Sequence, residues 1–162
     1  MPHDRTATLP ALDPATLPWI EHTDYPEPFR ALVAGAMRRR IGDATGLRNF
    51  GVNLVRLPSG SASSQRHWHT KQDEFVFVLE GALILVTDAG EQVLASGMAA
   101  GFPAGVADGH HLINRSGRDA LYLEIGDRTK FDDGEYPDID MIWRAVGDGD
   151  RHVYRHKDGT PY

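Results

Sequence analysis

Two histidines, His67 and His69, stand two positions apart in the run His67-Trp68-His69-Thr70-Lys71-Gln72-Asp73-Glu74, directly before the apolar stretch Phe75-Val76-Phe77-Val78-Leu79. Side chains of an extended segment alternate between faces, so both imidazoles project from one side and can reach one ion. Glu74 offers a third ligand. Its odd offset from His69 would place it on the wrong face of a continuous strand, so the polar residues Thr70 to Asp73 are expected to form a turn that delivers Glu74 from the next strand. Further along, Gly97, Pro103 and Gly105 lead to His110, with Asn114 four positions later. Three imidazoles and a carboxylate are thereby available, a mixed nitrogen and oxygen set that suits one divalent transition metal ion. The set does not distinguish Fe, Mn, Co, Ni, Cu or Zn. Histidines are also ordinary hydrogen-bonded residues, but several converging imidazoles without an ion repel one another if protonated and lack partners if not.

The elements that must carry these residues read as short strands. From Leu47 onward, β-type runs separated by turn residues are expected over Asn49–Leu57, Gln65–His69, Glu74–Leu79, Ala82–Thr87, Glu91–Ala95, Met98–Phe102, His110–Asn114 and Ala120–Ile125. Asp88-Ala89-Gly90 is a hairpin signal, and Gly81 looks like a hinge between two strands. So many short strands in succession predict an antiparallel barrel or two-sheet jelly roll. Before them, residues 1–28 are punctuated by proline and predict an extended arm with Trp19 and Ile20 as anchors. Phe29–Arg40 reads as a helix with Pro28 in its first turn and Gly42 at its stop, so that Arg38-Arg39-Arg40 would face the helix C-terminal dipole. Past Gly126 the chain turns acidic and irregular, with Met141–Val146 and His152–His156 as further edge strands.

With these residues laid out, the chain resembles the cupin superfamily. Gly60, His67, His69, Glu74 and Gly81 match the first cupin motif, and Gly97, Pro103, Gly105, His110 and Asn114 match the second, over roughly residues 47–126. The resemblance implies an all-β double-stranded β-helix, a jelly-roll barrel, with metal ligands His67, His69, Glu74 and His110. One extra residue before His67 and two before His110 depart from the usual spacing and make His111 a competitor. The spacing to Asn114 favours His110, and alternation turns only one of the adjacent pair inward. One domain is expected, with residues 1–45 as arm and helix, 46–126 as the barrel core and 127–162 as an extension completing the sheets.

The tail, from Tyr122-Leu123-Glu124-Ile125-Gly126 through Tyr136-Pro137-Asp138 to the C-terminus, is similar to that of small single-domain bacterial cupins described as sugar-phosphate isomerase-like, resembling mannose-6-phosphate isomerases. On that resemblance the metal would act as a Lewis acid on a sugar carbonyl while a base moves a proton between adjacent carbons. Tyr122 and Glu124 share one strand face. If that face is interior, Glu124 is the base candidate; if it is exposed, both are surface residues. Arg56, Arg66, Lys71, Arg128 and Lys157 are available for a phosphate, although no phosphate-cradling glycine-rich loop is visible. The alternatives are an Fe(II)-dependent dioxygenase and a non-catalytic sugar-binding cupin, since fold alone does not decide function.

Composition narrows the classes. With 17 basic and 23 acidic residues the formal charge is −6, which argues against a nucleic-acid or anionic-membrane binder and for a small-molecule substrate. The chain contains no cysteine, so neither a disulfide nor a thiolate ligand is available, compatible with the cytoplasm. Neither a leader at Met1 to Pro10 nor a membrane span is expected. The proline-rich arm and open sheet edges invite a homodimer.

Overall fold

In the computed structural model, which describes residues 10–162, thirteen strands and one short helix follow in chain order. They are β1 (Ile20–Glu21), β2 (Met37–Arg40), α1 (Ile41–Ala44), β3 (Phe50–Leu57), β4 (Trp68–His69), β5 (Glu74–Glu80), β6 (Ala82–Thr87), β7 (Gly90–Ala95), β8 (Ala99–Phe102), β9 (His111–Ile113), β10 (Ala120–Asp127), β11 (Gly134–Tyr136), β12 (Met141–Val146) and β13 (Arg151–Arg155). A six-stranded sheet has the order β1-β2-β3-β10-β5-β8, a four-stranded sheet β13-β12-β11-β4, and a three-stranded sheet β7-β6-β9. Every pairing is antiparallel. This is the jelly-roll barrel expected from the run of short strands. Residues 1–9 of the proline-rich arm lie outside the described residues.

Alternation along the strands builds the core. Val55 and Leu57 of β3, Val76 and Val78 of β5, and Ala120 and Tyr122 of β10 turn inward from the six-stranded sheet to meet Leu83, Leu85, Leu94 and Leu112 of the three-stranded one. A second cluster, Tyr136, Met141 and Trp143 with Tyr25 and Phe29 against it, ties the C-terminal strands to the arm. The hinge at Gly81 has φ +83°, and a Cβ there would come within 3.1 Å of the Ala120 Cβ, so only glycine turns the corner between β5 and β6 without strain. The hairpin read at Asp88-Ala89-Gly90 is present, with Thr87 and Gly90 paired across it.

The helix expected over Phe29–Arg40 is not formed. Its place is taken by a single 3-10 turn at Ala31–Val33, a left-handed Gly35 (φ +79°) and β2, which pairs with β3 from Met37–Arg56 to Arg40–Asn53. Long unbranched side chains favour a helix locally, but sheet pairing overrides so weak a preference. The three arginines therefore alternate across a strand and face no helix C-terminus. Arg38 and Arg40 share the inward face with Val55 and Asn53, whereas Arg39 turns outward and lays its guanidinium over the Trp19 ring at 4.2 Å. The Gln65–His69 segment contributes only Trp68–His69 as strand. The segment read as irregular after Gly126 supplies β11, which pairs with both β4 and β12. No helix among the described residues is long and apolar enough to cross a membrane.

Gly134 in β11 lies directly under the Trp143 indole, so close that a Cβ would sit 1.9 Å from the ring. Gly134→Ala is expected to lower unfolding free energy by about 2 kcal/mol or more, because a rigid ring must move out of a buried cluster. Urea denaturation with an unchanged midpoint would contradict that account.

Candidate metal centre

The polypeptide brings the two histidine motifs together by a backbone bridge. His67 N–H donates to the His110 carbonyl at 3.2 Å, and His110 N–H donates to the His67 carbonyl at 2.8 Å, as an isolated antiparallel pair. Directly opposed residues of such a pair point their side chains to the same face. His69 follows on that face two residues on, and Glu74 enters from the start of β5 after the Thr70–Asp73 turn. The ligand atoms of His67, His69 and Glu74 lie within 4.8 Å of one another. His110 joins them through Glu74: its Nε2 is 2.7 Å from Glu74 Oε2, while the Nε2 atoms of His69 and His67 are 3.2 and 3.5 Å from the same oxygen. The His110 ring stacks flat on Phe102 at 3.6 Å. His111 also lines the cavity, but its Nδ1 is bonded to the Ser64 carbonyl at 3.0 Å and it does not join the cluster on Glu74.

The far nitrogens determine what the near ones present. His67 Nδ1 donates to the Gln65 carbonyl at 2.8 Å, which leaves an electron pair on Nε2. His69 Nδ1 meets Asp132 Oδ2 at 2.6 Å. Asp132 is buried, and its other oxygen accepts from the Lys71 and Gln72 amides at 2.7 and 3.2 Å, so this carboxylate is fixed by the same turn that delivers Glu74. His69 is thus held between two carboxylates. Burial pulls its pKa down, but the hydrogen bond to Asp132 and the nearby Glu74 carboxylate outweigh this and lift it to about 9. Burial pushes Glu74 up, yet the imidazoles of His110, His67 and His69 hold its carboxyl well below the usual range. Burial likewise lowers His110, which favours the neutral, ligating form of its ring.

This arrangement asks for a cation. His69 Nε2 is buried without a hydrogen-bond partner, and it faces a carboxylate that is ionised throughout the neutral range. A positive charge among these nitrogens satisfies both, and a divalent ion does so for all of the donors at once. The carboxylate behind His69 stands where an outer partner would orient this imidazole on a metal and raise its basicity.

The donors open on a cavity of about 550 Å³. Tyr122 and Glu124, the pair left undecided by strand alternation alone, both line it. Glu124 Oε1 accepts from Asn53 Nδ2 at 3.1 Å and from Arg38 Nε at 3.4 Å. The carboxylate beside Arg38 holds its guanidinium above its ordinary pKa. The Tyr122 hydroxyl is fully buried with no hydrogen-bond partner among the described residues, and burial pushes its pKa up. Of the five cations considered for a phosphate, only Arg128 lines this cavity; Arg66 is instead clamped by Asp88 and Asp138. Arg38, Arg40, Asn53 and Asp132 were not singled out as site residues. The inward pair of arginines was hidden by the helix reading, and Asp132 lies 63 residues from its histidine with no spacing signal.

Comparison with known proteins bears on this geometry. A Cupin domain family model matches residues 53–126. Over 94% of this chain and 96% of the other, the protein is 43% identical, with a TM-score of 0.89, to a solved structure from Silicibacter pomeroyi described as a sugar phosphate isomerase from a cupin superfamily. The chain belongs to the cupin superfamily. A candidate sugar phosphate isomerase of Acidithiobacillus ferrooxidans is 26% identical over 78% of this chain and 80% of its own, with a TM-score of 0.70. A polyketide cyclase of Streptomyces resistomycificus shares the cupin fold alone, at 16% identity over 88% of this chain and 90% of its own, with a TM-score of 0.62. No curated protein matches.

Asp132→Asn keeps the shape but removes the charge behind His69. Metal affinity is expected to fall about 10- to 100-fold, read by competition with a chromophoric chelator. Affinity equal to wild type would show that Asp132 has no part in the site.

Proposed function

We propose that this cupin is a metal-dependent isomerase of a small polar metabolite, of the sugar-phosphate class, with His67, His69, Glu74 and His110 as the metal ligands. The observation that carries the reading is the placement of Glu124: a carboxylate anchored by Asn53 and Arg38 lines the same cavity as the three-imidazole cluster. The names of the Silicibacter pomeroyi and Acidithiobacillus ferrooxidans relatives support the reaction class.

A divalent ion held by the four ligands would supply Lewis acidity, polarising a carbonyl and the hydroxyl beside it. The protein's own residues do the rest. Glu124 takes a proton from the hydroxyl-bearing carbon next to the carbonyl and returns it to the former carbonyl carbon, while the hydroxyl proton passes to the former carbonyl oxygen, so no proton is gained or lost overall. Asn53 and Arg38 keep the carboxylate aimed while it changes charge. The Tyr122 hydroxyl, which burial keeps protonated, donates a hydrogen bond to a substrate oxygen. Arg40 and Arg128 line the cavity and offer countercharge to a phosphate.

Purified protein loaded in turn with Mn, Fe, Co, Ni and Zn is to be tested on a panel of aldose and ketose phosphates in D2O, following isomer ratio and deuterium uptake by NMR. Metal-dependent interconversion is expected. Glu124→Gln should slow it about 10²- to 10⁴-fold while metal content stays the same. Failure of every metal-loaded form to convert any phosphate in the panel would overturn the proposal, and a ligand that raises the melting temperature but is recovered unchanged would mark the protein as a binder.

A further inference from the structure

The reaction proposed for Glu124 needs an open-chain carbonyl, and pentose and hexose phosphates in water are closed rings that conceal it. Opening the ring moves a proton from the anomeric hydroxyl to the ring oxygen. That calls for an acid–base group apart from Glu124, whose carboxylate is tied to Asn53 and Arg38 on the six-stranded sheet. The other wall of the cavity carries one.

In β13, His152 and Tyr154 alternate onto one face, paired with Ala145 and Trp143 of β12. Both line the cavity, as do Asp24 and Tyr25 of the arm. The Asp24 carboxylate spans the two β13 side chains: Oδ2 lies 3.3 Å from His152 Nε2, and Oδ1 accepts from the Tyr154 hydroxyl at 3.0 Å. The imidazole beside it outweighs burial and draws the Asp24 carboxyl down to about 2, so this group is an anion throughout the neutral range. Packing fixes the His152 ring as well, edge-on to Tyr154 at 5.3 Å and tilted against Trp143 at 6.3 Å. Trp143 in turn stands 4.8 Å from the His69 ring, so one indole separates this imidazole from the metal centre. With Nε2 turned to Asp24, Nδ1 is the nitrogen left for a ligand, and at 43% exposure the side chain is within its reach.

Granted the isomerase reading of this cavity, we infer that His152, positioned by Asp24, opens the ring form of the sugar phosphate. Nδ1 takes the proton of the anomeric hydroxyl as the carbonyl forms and the bond from the anomeric carbon to the ring oxygen breaks. The imidazolium then returns that proton to the former ring oxygen, which becomes a hydroxyl, so atoms and charge balance without a co-reactant. Between the two transfers Asp24 stabilises the imidazolium and holds its orientation, as a carboxylate does for a catalytic histidine. An exposed ion pair that only fastens the arm to β13 would share this geometry and contribute little; proton transfer separates the two.

Anomer exchange of glucose 6-phosphate, mannose 6-phosphate and ribose 5-phosphate, read by NMR magnetisation transfer between anomeric protons, tests the assignment on Zn-loaded Glu124→Gln protein. At least one of these sugars is expected to exchange about 10²-fold faster than in buffer. Adding His152→Gln should return it to the buffer rate with the melting temperature unchanged, because an amide N–H stands where Nε2 faced Asp24. His22→Gln, on another exposed imidazole that lines the cavity, should leave exchange fast. Exchange no faster than buffer for every sugar, a His152→Gln protein as fast as its parent, or an equal loss in Tyr154→Phe, which removes a fastening of the arm but no base, would each overturn the assignment. Deuterium uptake at carbon by the wild type with exchange indifferent to His152 removes this role and leaves that of Glu124; His152-dependent exchange without uptake does the reverse.

Discussion

The reciprocal pair of backbone hydrogen bonds between His67 and His110 is the constraint on which the site depends. Neither residue lies in a regular strand, and the two belong to sequence motifs more than forty positions apart. A single bridge nevertheless gives their side chains a common face and a common origin, so that Nε2 atoms from separate loops aim at one carboxylate oxygen. Slippage by one residue would present His111 instead, whose Nδ1 is committed to the Ser64 carbonyl. Sheet register elsewhere is fixed by apolar burial. Here a short polar crossing is fixed by what flanks it: Ala62 bridges Ile113, Ser63 N–H bonds the Leu112 carbonyl, and Asn114, fully buried, latches the Leu57 and Arg118 carbonyls.

The sequence carried the local part of the site legibly. His67 and His69 share a face because strands have period two, and Glu74 arrives by a turn because its offset is odd; both follow from spacing, and both are seen. Spacing to Asn114 favours His110 over His111, and the structure places His110 Nε2 2.7 Å from Glu74 Oε2. What spacing cannot encode is long-range contact. Asp132 reaches His69 from an acidic stretch that looked irregular, since β11 has only three residues and earns its strand character by pairing with β4 and β12. Arg38 was misplaced for a different reason. Met37 to Arg40 has the composition of an exposed helix, and only the inward face of β3, where Asn53 sits across from Arg40, shows why arginines alternate there.

Where the six-stranded sheet lines the cavity, polar side chains lie inside and apolar ones outside, and the two halves of that local inversion have a common cause. A cavity able to bind a polar molecule must be lined by Glu124, Asn53 and Arg38, which consume inward positions that would otherwise hold core side chains. Buried apolar packing is confined to the half of the sheet around Val55, Leu57, Val78 and Ala120. Strands β3, β5 and β10 still need apolar, β-branched and aromatic residues to pair and pack, and where the inner positions are polar those residues lie on the outer face. The polar lining of the cavity thus leaves apolar side chains on the opposite face of those strands. On this argument, the polar cavity wall and the apolar outer face are two consequences of one choice of polarity along β10.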